Sequence, residues 1–199
     1  ARCAVSRIPE DRWSLQAFGH PRAQERGKSY TWAAGVLDDI WSFDPGVFGI
    51  SPREAEQMDP QQRMLLELTW EAFEDAGLRP SSVAGSHIGV FVGASALDYG
   101  NLRILDPSSG DAYAATGNTL SIISNRISYI YDLKGPSFTL DTACSSSLVA
   151  LNAAIAAIEA GQVDTAVVAG ANILASPFNF ISFSNAQMLS RTGLCQAFS

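Results

Sequence analysis

Residues 137–148 restrict the fold of this chain more than any other stretch, because strand formers, a cysteine and helix formers follow one another directly. Phe138, Thr139 and Leu140 favour extended backbone, which predicts a strand over 137–142. Residues 145–160 are rich in Ala, Leu and Ile and end at Gly161, which predicts a helix. Cys144 is therefore predicted at the first turn of a helix that follows a strand.

A cysteine in that position suits nucleophilic chemistry. The first amides of a helix lack intrahelical partners and lie at the positive end of its dipole, so they favour a thiolate over a thiol. A thiolate is the nucleophile of enzymes that hold an acyl group as a thioester. The alternative is inert burial, the commoner role of a cysteine. The strand, the helix start and the three serines at 145–147 favour the nucleophile.

Those serines are weaker candidates for a nucleophile themselves. No Gly-x-Ser-x-Gly pattern surrounds them, so the sharp turn that presents a hydrolase serine is not predicted. Hydrogen bonding at the helix N-terminus explains them better.

Elsewhere the chain alternates between helical and strand patterns. Asp59 is a candidate N-cap, followed by Pro60, with Gln62 in capping-box position, so a helix is predicted over 60–76. Its expected apolar face comprises Leu65, Leu66, Leu68, Thr69, Ala72 and Phe73. Buried strands are predicted over 87–94 and 164–171, and a further helix over 119–131. This alternation indicates an α/β fold.

The remaining segments are predicted as loops. Residues 1–30 have no clear period, and residues 97–112 form a polar stretch with a turn at 106–110. Phe178, Phe180 and Phe183 alternate with polar residues, which suggests a loop or short strand over a pocket.

Composition excludes several functions. The formal net charge is −7 and no basic stripe occurs, which argues against binding nucleic acid. An acidic protein partner would need a local basic patch. The three cysteines lie far apart without metal-like spacing, and no secretory signal is evident, so a reducing cytoplasm is expected. No apolar run approaches the roughly 20 residues that span a bilayer.

Several ordered motifs carry a family resemblance. Residues 141–147, Asp-Thr-Ala-Cys-Ser-Ser-Ser, resemble the active-site signature of the β-ketoacyl synthase (ketosynthase) domains of modular type I polyketide synthases. Further blocks of the same family are similar to residues 43–55, 58–63, 88–93, 188–190 and 193–198. The resemblance covers essentially the whole chain.

The resemblance implies a thiolase-like fold of layers α/β/α/β/α, built from two related halves. It implies that residues 1–199 are one partial ketosynthase domain, the N-terminal portion, without the family's first strand and C-terminal half. It also implies a homodimer in the cytoplasm, with the strand before Cys144 near the two-fold axis.

The family's chemistry gives Cys144 the role of nucleophile, and its backbone amide is a candidate oxyanion donor. The resemblance implies acyl and malonyl-type thioesters as substrates, carried on the phosphopantetheine of an acyl carrier protein, with no cofactor or metal bound directly. The family's two histidine motifs are absent, and neither His20 nor His87 matches them. They are expected beyond Ser199, so residues 1–199 alone should not complete decarboxylative condensation. A structural role is expected for Cys195.

Two other interpretations stay open. A thiolase-like relative could transfer acyl groups without decarboxylation, and the downstream histidine motifs would distinguish it. A ketosynthase-derived domain could also serve only as a carrier-docking module or dimer scaffold, which has no need for a thiolate at Cys144.

Overall fold

Helices and strands alternate along the chain in this computed structural model, as the sequence predicts. The structure describes residues 3–104, 108 and 110–195. The strands in these ranges are β1 (Val5–Arg7), β2 (Ala33–Gly35), β3 (Gly89–Ala94), β4 (Ser137–Leu140) and β5 (Ala166–Ala171). The α-helices are α1 (Leu15–Phe18), α2 (Pro52–Gln57), α3 (Pro60–Asp75), α4 (Asp98–Ile104), α5 (Ala114–Asn118), α6 (Leu120–Ile130), α7 (Ser146–Glu159) and α8 (Phe178–Asn185).

The chain divides into two units, of which the smaller combines Ala1–Ile40 with Leu174–Ser199. In it, β1 and β2 pair in antiparallel fashion, with Val5 opposite Gly35. A small core of Ile8, Trp13 and Phe180 joins its two chain segments. The segment predicted as a structureless loop over 1–30 thus contains a strand and one helical turn.

The larger unit, Trp41–Ile173, is built on a parallel three-stranded sheet in the order β4-β3-β5. All six residues of the central strand β3 are buried. Because side chains alternate along a strand, Val90 and Val92 face the core formed with α3 and α6, whereas Phe91 packs with α7. Each such buried aliphatic side chain stabilises the fold by roughly 1.5–3 kcal/mol.

Helix α3 begins where the sequence predicts, but its capping differs. The Asp59 carboxylate accepts the Gln61 amide at 2.7 Å. Gln62 does not complete a capping box, because its amide group donates to the Thr116 and Gly117 carbonyls and its Oε1 accepts from Arg126. Of the predicted apolar face, Leu68 and Ala72 are exposed instead of buried.

Two of the predicted loops are helical. Helix α4 occupies residues 98–104 of the region predicted as a polar loop and turn, of which residues 105–107 and 109 lie outside the described residues. The Tyr99 hydroxyl and the Arg103 guanidinium both donate to the Glu56 carbonyl, so contacts with α2 stabilise α4. The phenylalanine-rich segment forms α8, in which Phe180 and Ser184 share the buried face.

Strand β5 lies in the predicted place but is not buried as predicted. It pairs with β3 along its whole length and is at the end of the sheet formed by the described strands. Its residues are half-buried or exposed, and Val168 is 37 % exposed. The buried-strand pattern in the sequence is therefore only partly satisfied by the residues described.

Candidate active site

Cys144 lies on a short turn between β4 and α7. The strand ends at Leu140, and a 3₁₀ turn, Ala143–Ser145, precedes the first residue of the helix. The sequence placed Cys144 inside the first turn of the helix, whereas it lies just before that turn. The thiol is free and its side chain is exposed among the described residues.

The turn depends on an unusual backbone conformation at Ala143. Its φ is +54°, in the left-handed region that residues with a Cβ seldom adopt. The Asp141 carboxylate accepts the Ala143 amide at 2.9 Å, which fixes the peptide immediately before the cysteine. Strain of about 1–3 kcal/mol at such a position persists only where the surroundings enforce it.

Two serines after the cysteine hold this turn together. The buried Ser146 hydroxyl accepts the Thr142 amide at 2.9 Å and donates to the Ala143 carbonyl at 2.7 Å. The Ser145 hydroxyl donates to the Thr142 carbonyl at 2.9 Å. Sequence analysis predicted hydrogen bonding at the helix start. The bonds form, but to the preceding turn, and Ser145 makes no side-chain cap to the helix amides.

Two glycines let the sheet approach this turn closely. An ideal Cβ on Gly93 of β3 would lie 2.4 Å from the Ser146 carbonyl carbon. One on Gly170 of β5 would lie 2.7 Å from the Ser147 Cβ. The sequence assigned neither glycine a role, and for Ser146 it predicted only hydrogen bonding at the helix N-terminus. The available signal was a glycine near the carboxyl end of each predicted strand, which often marks a close backbone approach.

The backbone amide of Cys144 remains available as a donor. It donates to no acceptor within the described part of the chain, because the turn's bonds run from Ser145 to Thr142 and from Ser146 to Ala143. A free N–H beside an exposed thiol is the arrangement that stabilises negative charge on a carbonyl oxygen under attack.

Within the described residues of the larger unit, no histidine lies at this turn. His87 is exposed just before β3, and since β3 and β4 are parallel it lies at the end of the sheet away from Cys144. His20 belongs to the smaller unit, where its Nδ1 accepts the Arg22 amide at 3.1 Å. Cys195 is exposed instead of packed in a core, and residues 196–198 of its predicted block lie outside the described residues.

Neither a metal-binding cluster nor a membrane-spanning helix occurs in the described ranges. No set of three or more His, Cys, Asp or Glu side chains is arranged to hold a metal ion there. Among the helices of those ranges, none has both the length and the apolar character to cross a bilayer.

The strand, turn, exposed cysteine and helix define a protein that presents a free thiol at the carboxyl end of a parallel sheet. The family model described as "Beta-ketoacyl synthase, N-terminal domain" matches residues 1–199. The chain belongs to this family.

Curated relatives that match nearly the whole chain are polyketide synthases. The chain is 46% identical over 198 residues to Polyketide synthase GfsE of Streptomyces halstedii, which covers 99% of this chain and 5% of that protein. It is 46% identical over 197 residues to Erythronolide synthase EryA3 of Saccharopolyspora erythraea, covering 98% of this chain and 6% of the relative. The chain thus spans about one-twentieth of the length of these relatives.

Solved structures agree on the fold. The oxazolomycin ketosynthase domain OzmH KS7 of Streptomyces albus JA3453 superposes with a TM-score of 0.87 at 38% identity, covering 94% of this chain and 33% of that one. The ketosynthase from module 6 of the bacillaene synthase of Bacillus subtilis 168 gives 0.84 at 37% identity, covering 99% and 32%. The predicted thiolase-like α/β fold is therefore confirmed for the portion that this chain represents.

Proposed function

We propose that the protein containing this chain is a β-ketoacyl synthase of polyketide biosynthesis and that Cys144 is its acyl-accepting nucleophile. One observation carries the proposal: an exposed thiol on a tightly bonded turn, beside a free amide, in a chain of the ketosynthase family. The residues bonded around the turn hold the sulfur in place without covering it.

The first half-reaction follows from this geometry. The Cys144 thiolate attacks the carbonyl carbon of an acyl thioester, and the carbonyl oxygen gains negative charge that the Cys144 amide can stabilise. When the tetrahedral intermediate collapses, the bond to the carrier's sulfur breaks. The acyl group then remains on Cys144, and the pantetheine leaves as a thiolate that takes up a proton.

The second half-reaction lengthens the chain. A malonyl-type thioester loses carbon dioxide, and the electron pair of the broken bond becomes a carbanion on the α-carbon. This carbanion attacks the acyl carbonyl carbon, and the Cys144 thiolate leaves. The product is a β-ketoacyl thioester two backbone carbons longer. We assign no described residue to decarboxylation, since the histidine motifs of the family are absent from this sequence.

The proposal extends to the partners of the protein. Substrates would arrive on the phosphopantetheine arm of an acyl carrier protein, with no cofactor bound by this chain. The similarity to modular polyketide synthases supports this. We also propose a cytoplasmic homodimer, and that residues 1–199 are the N-terminal portion of a longer ketosynthase domain. In support of the last point, the chain covers only 33% of a solved ketosynthase.

The test is peptide mass spectrometry of the full-length protein after incubation with an acyl thioester. We expect an acyl adduct on the peptide that contains Cys144. The adduct should disappear in Cys144→Ala and persist in Cys195→Ala, the matched control at another exposed cysteine. An adduct on Cys195 instead, or none on a folded protein, would remove Cys144 from the mechanism and favour a scaffold.

A second measurement separates condensation from simple acyl transfer. If the acylated protein is given a malonyl-type thioester, a ketosynthase releases carbon dioxide together with a lengthened product. A thiolase-like acyltransferase would acylate Cys144 but release no carbon dioxide.

A further inference from the structure

The smaller unit contains a pocket that the proposed chemistry does not use. Its volume is about 550 Å³, within the range of sites for small organic ligands. Parts of the chain distant in sequence form it: Arg7 and eight residues between Leu15 and Trp32, together with Arg191. Tyr30 and Trp32 contribute aromatic surface, and Trp32 is 53 % exposed.

Charge is distributed unevenly between the two units. The smaller one contains seven arginines and lysines against five acidic residues, a formal net charge of +2. The larger one contains six against fifteen, a net charge of −9. The pocket therefore lies in the unit of this acidic chain that has a positive formal net charge.

Two arginines of this unit, Arg7 and Arg191, line the pocket. Arg12 and Arg22 pair with Asp11 and Glu25. In the described residues Arg7 and Arg191 form no ion pair, and no carboxylate is among the described side chains that line the pocket. Arg7 and Arg191 thus line a pocket whose described lining includes no acidic side chain.

Hydrogen bonds hold the Arg191 side of the pocket in place. The Tyr30 hydroxyl donates to the Leu189 carbonyl at 2.7 Å, and the Thr31 hydroxyl donates to the Ser190 carbonyl at the same distance. The Arg191 guanidinium then lies 5.3 Å from the centre of the Tyr30 ring. This stacking orients a planar donor group in advance, which lowers the entropy lost when it binds an oxyanion.

His20 supplies a third donor. Its Nδ1 accepts the Arg22 amide at 3.1 Å, so in the neutral ring the proton resides on Nε2, which remains a donor. The residues that line the pocket thus include two arginines, a histidine and two aromatic side chains.

From these observations we propose that this pocket binds the phosphate group of a phosphorylated organic ligand. Arginine forks match phosphate oxygens in bidentate fashion, and the aromatic and apolar wall accommodates the body of the ligand. Such a phosphorylated ligand could be a phosphopantetheine arm or a free nucleotide, and the experiment below distinguishes the two.

The test is isothermal titration calorimetry on the full-length protein carrying Cys144→Ala, so that binding is measured without acyl transfer. The probes are 4′-phosphopantetheine and adenosine monophosphate, each beside its unphosphorylated counterpart, pantetheine or adenosine. We expect a phosphorylated probe to bind at least about tenfold more tightly than its counterpart, as a charge-assisted hydrogen bond implies. The phosphorylated probe that binds more tightly, 4′-phosphopantetheine or adenosine monophosphate, identifies the source of the ligand.

Variants assign the effect to this pocket. Arg7→Ala and Arg191→Ala should each lower the affinity for the phosphorylated probe about tenfold, and the double variant should lose more affinity than either single variant. Arg26→Ala is the matched control, an exposed arginine of the same unit that does not line the pocket, and should leave affinity unchanged. Equal affinity for phosphorylated and unphosphorylated probes, or unchanged affinity in the double variant, would overturn the proposal. Circular dichroism of each variant verifies folding.

Discussion

At the scale of single residues, the backbone at Ala143 explains why so many side chains surround one turn. A left-handed alanine is costly, and three nearby hydroxyl or carboxylate groups offset that cost by bonding the peptides on either side. Cys144 itself makes none of these bonds. Its sulfur and amide are therefore free for a substrate, while its position is set by its neighbours.

Replacing Ser146 tests whether the neighbouring residues set the position of Cys144. Ser146→Ala removes both the acceptor for the Thr142 amide and the donor to the Ala143 carbonyl, so we expect about 1 kcal/mol lower unfolding free energy. Acylation of Cys144 should slow by roughly tenfold, since a loss of 1.4 kcal/mol in transition-state stabilisation has that effect. Stopped-flow acylation measures it. Ser147→Ala is the control at an exposed neighbouring hydroxyl, and equal slowing in both variants would contradict the assignment.

Asp59 gives a second residue-scale prediction, in the pH dependence of stability. Burial raises the pKa of Asp59 above its ordinary value of 3.8, and the hydrogen bond from the Gln61 amide offsets this only in part. The folded protein therefore holds this proton to higher pH than the unfolded chain does. Its stability falls as pH rises from the unfolded pKa through the folded one, and then stays constant.

Asparagine caps a helix equally well but does not titrate. Asp59→Asn should therefore gain stability relative to the natural protein as pH rises from 3.8, the ordinary pKa of the group, through its raised pKa in the folded protein. Urea midpoints of both proteins at each pH measure the difference. A difference that shrinks over this range, or does not change, would show that Asp59 is not destabilised by burial.

At the scale of elements, the sheet determines where α7 begins. Gly93→Ala would place a methyl group 2.4 Å from backbone of Ser146, which cannot rotate away as a side chain could. We expect a loss of about 1–3 kcal/mol in stability and a displaced cysteine turn. Thermal unfolding and the acylation rate measure both. Gly35→Ala, with nothing within 4 Å of the added carbon, is the matched control and should change neither.

Sequence predicted elements well where local signals and tertiary packing agree. Helices α3 and α7 and strands β3 and β4 begin and end within two residues of prediction, because caps and terminal glycines mark them. Helix α4 was missed because its stabilising contacts come from Glu56 on another helix. Helix α8 was missed because Phe178 and Phe180 suggested a two-residue period, while the buried pair is Phe180 and Ser184.

The candidate site was also predictable only in part, because some of its features depend on tertiary contacts. A cysteine between a strand and a helix can be read from the chain, but the role of Ser146 depends on a left-handed residue that no local rule assigns to alanine. Likewise, the roles of Gly93 and Gly170 depend on the residues that pack against them.

At the scale of the whole molecule, α7 is apolar on more than one side. Its alanines at 150, 154 and 157 pack on the sheet. Its larger residues remain outside: Leu148, Leu151, Ile155 and Ile158 are 40–70 % exposed, at 70 %, 44 %, 46 % and 44 % in order. A helix that is hydrophobic all round belongs in an interior. Since the chain covers 33% of a solved ketosynthase, we expect another part of the full-length protein to cover this face.

Leu151→Ala in the full-length protein distinguishes a covered face from a bare one. If the face is covered, removing the leucine leaves a cavity and lowers stability by about 2–5 kcal/mol. The control is Leu68→Ala, the same substitution at an isolated exposed leucine of α3, which should change stability by less than about 0.5 kcal/mol. Urea unfolding measures both variants. If both lose little, α7 stays exposed in the complete protein, and its apolar face needs a partner outside the chain.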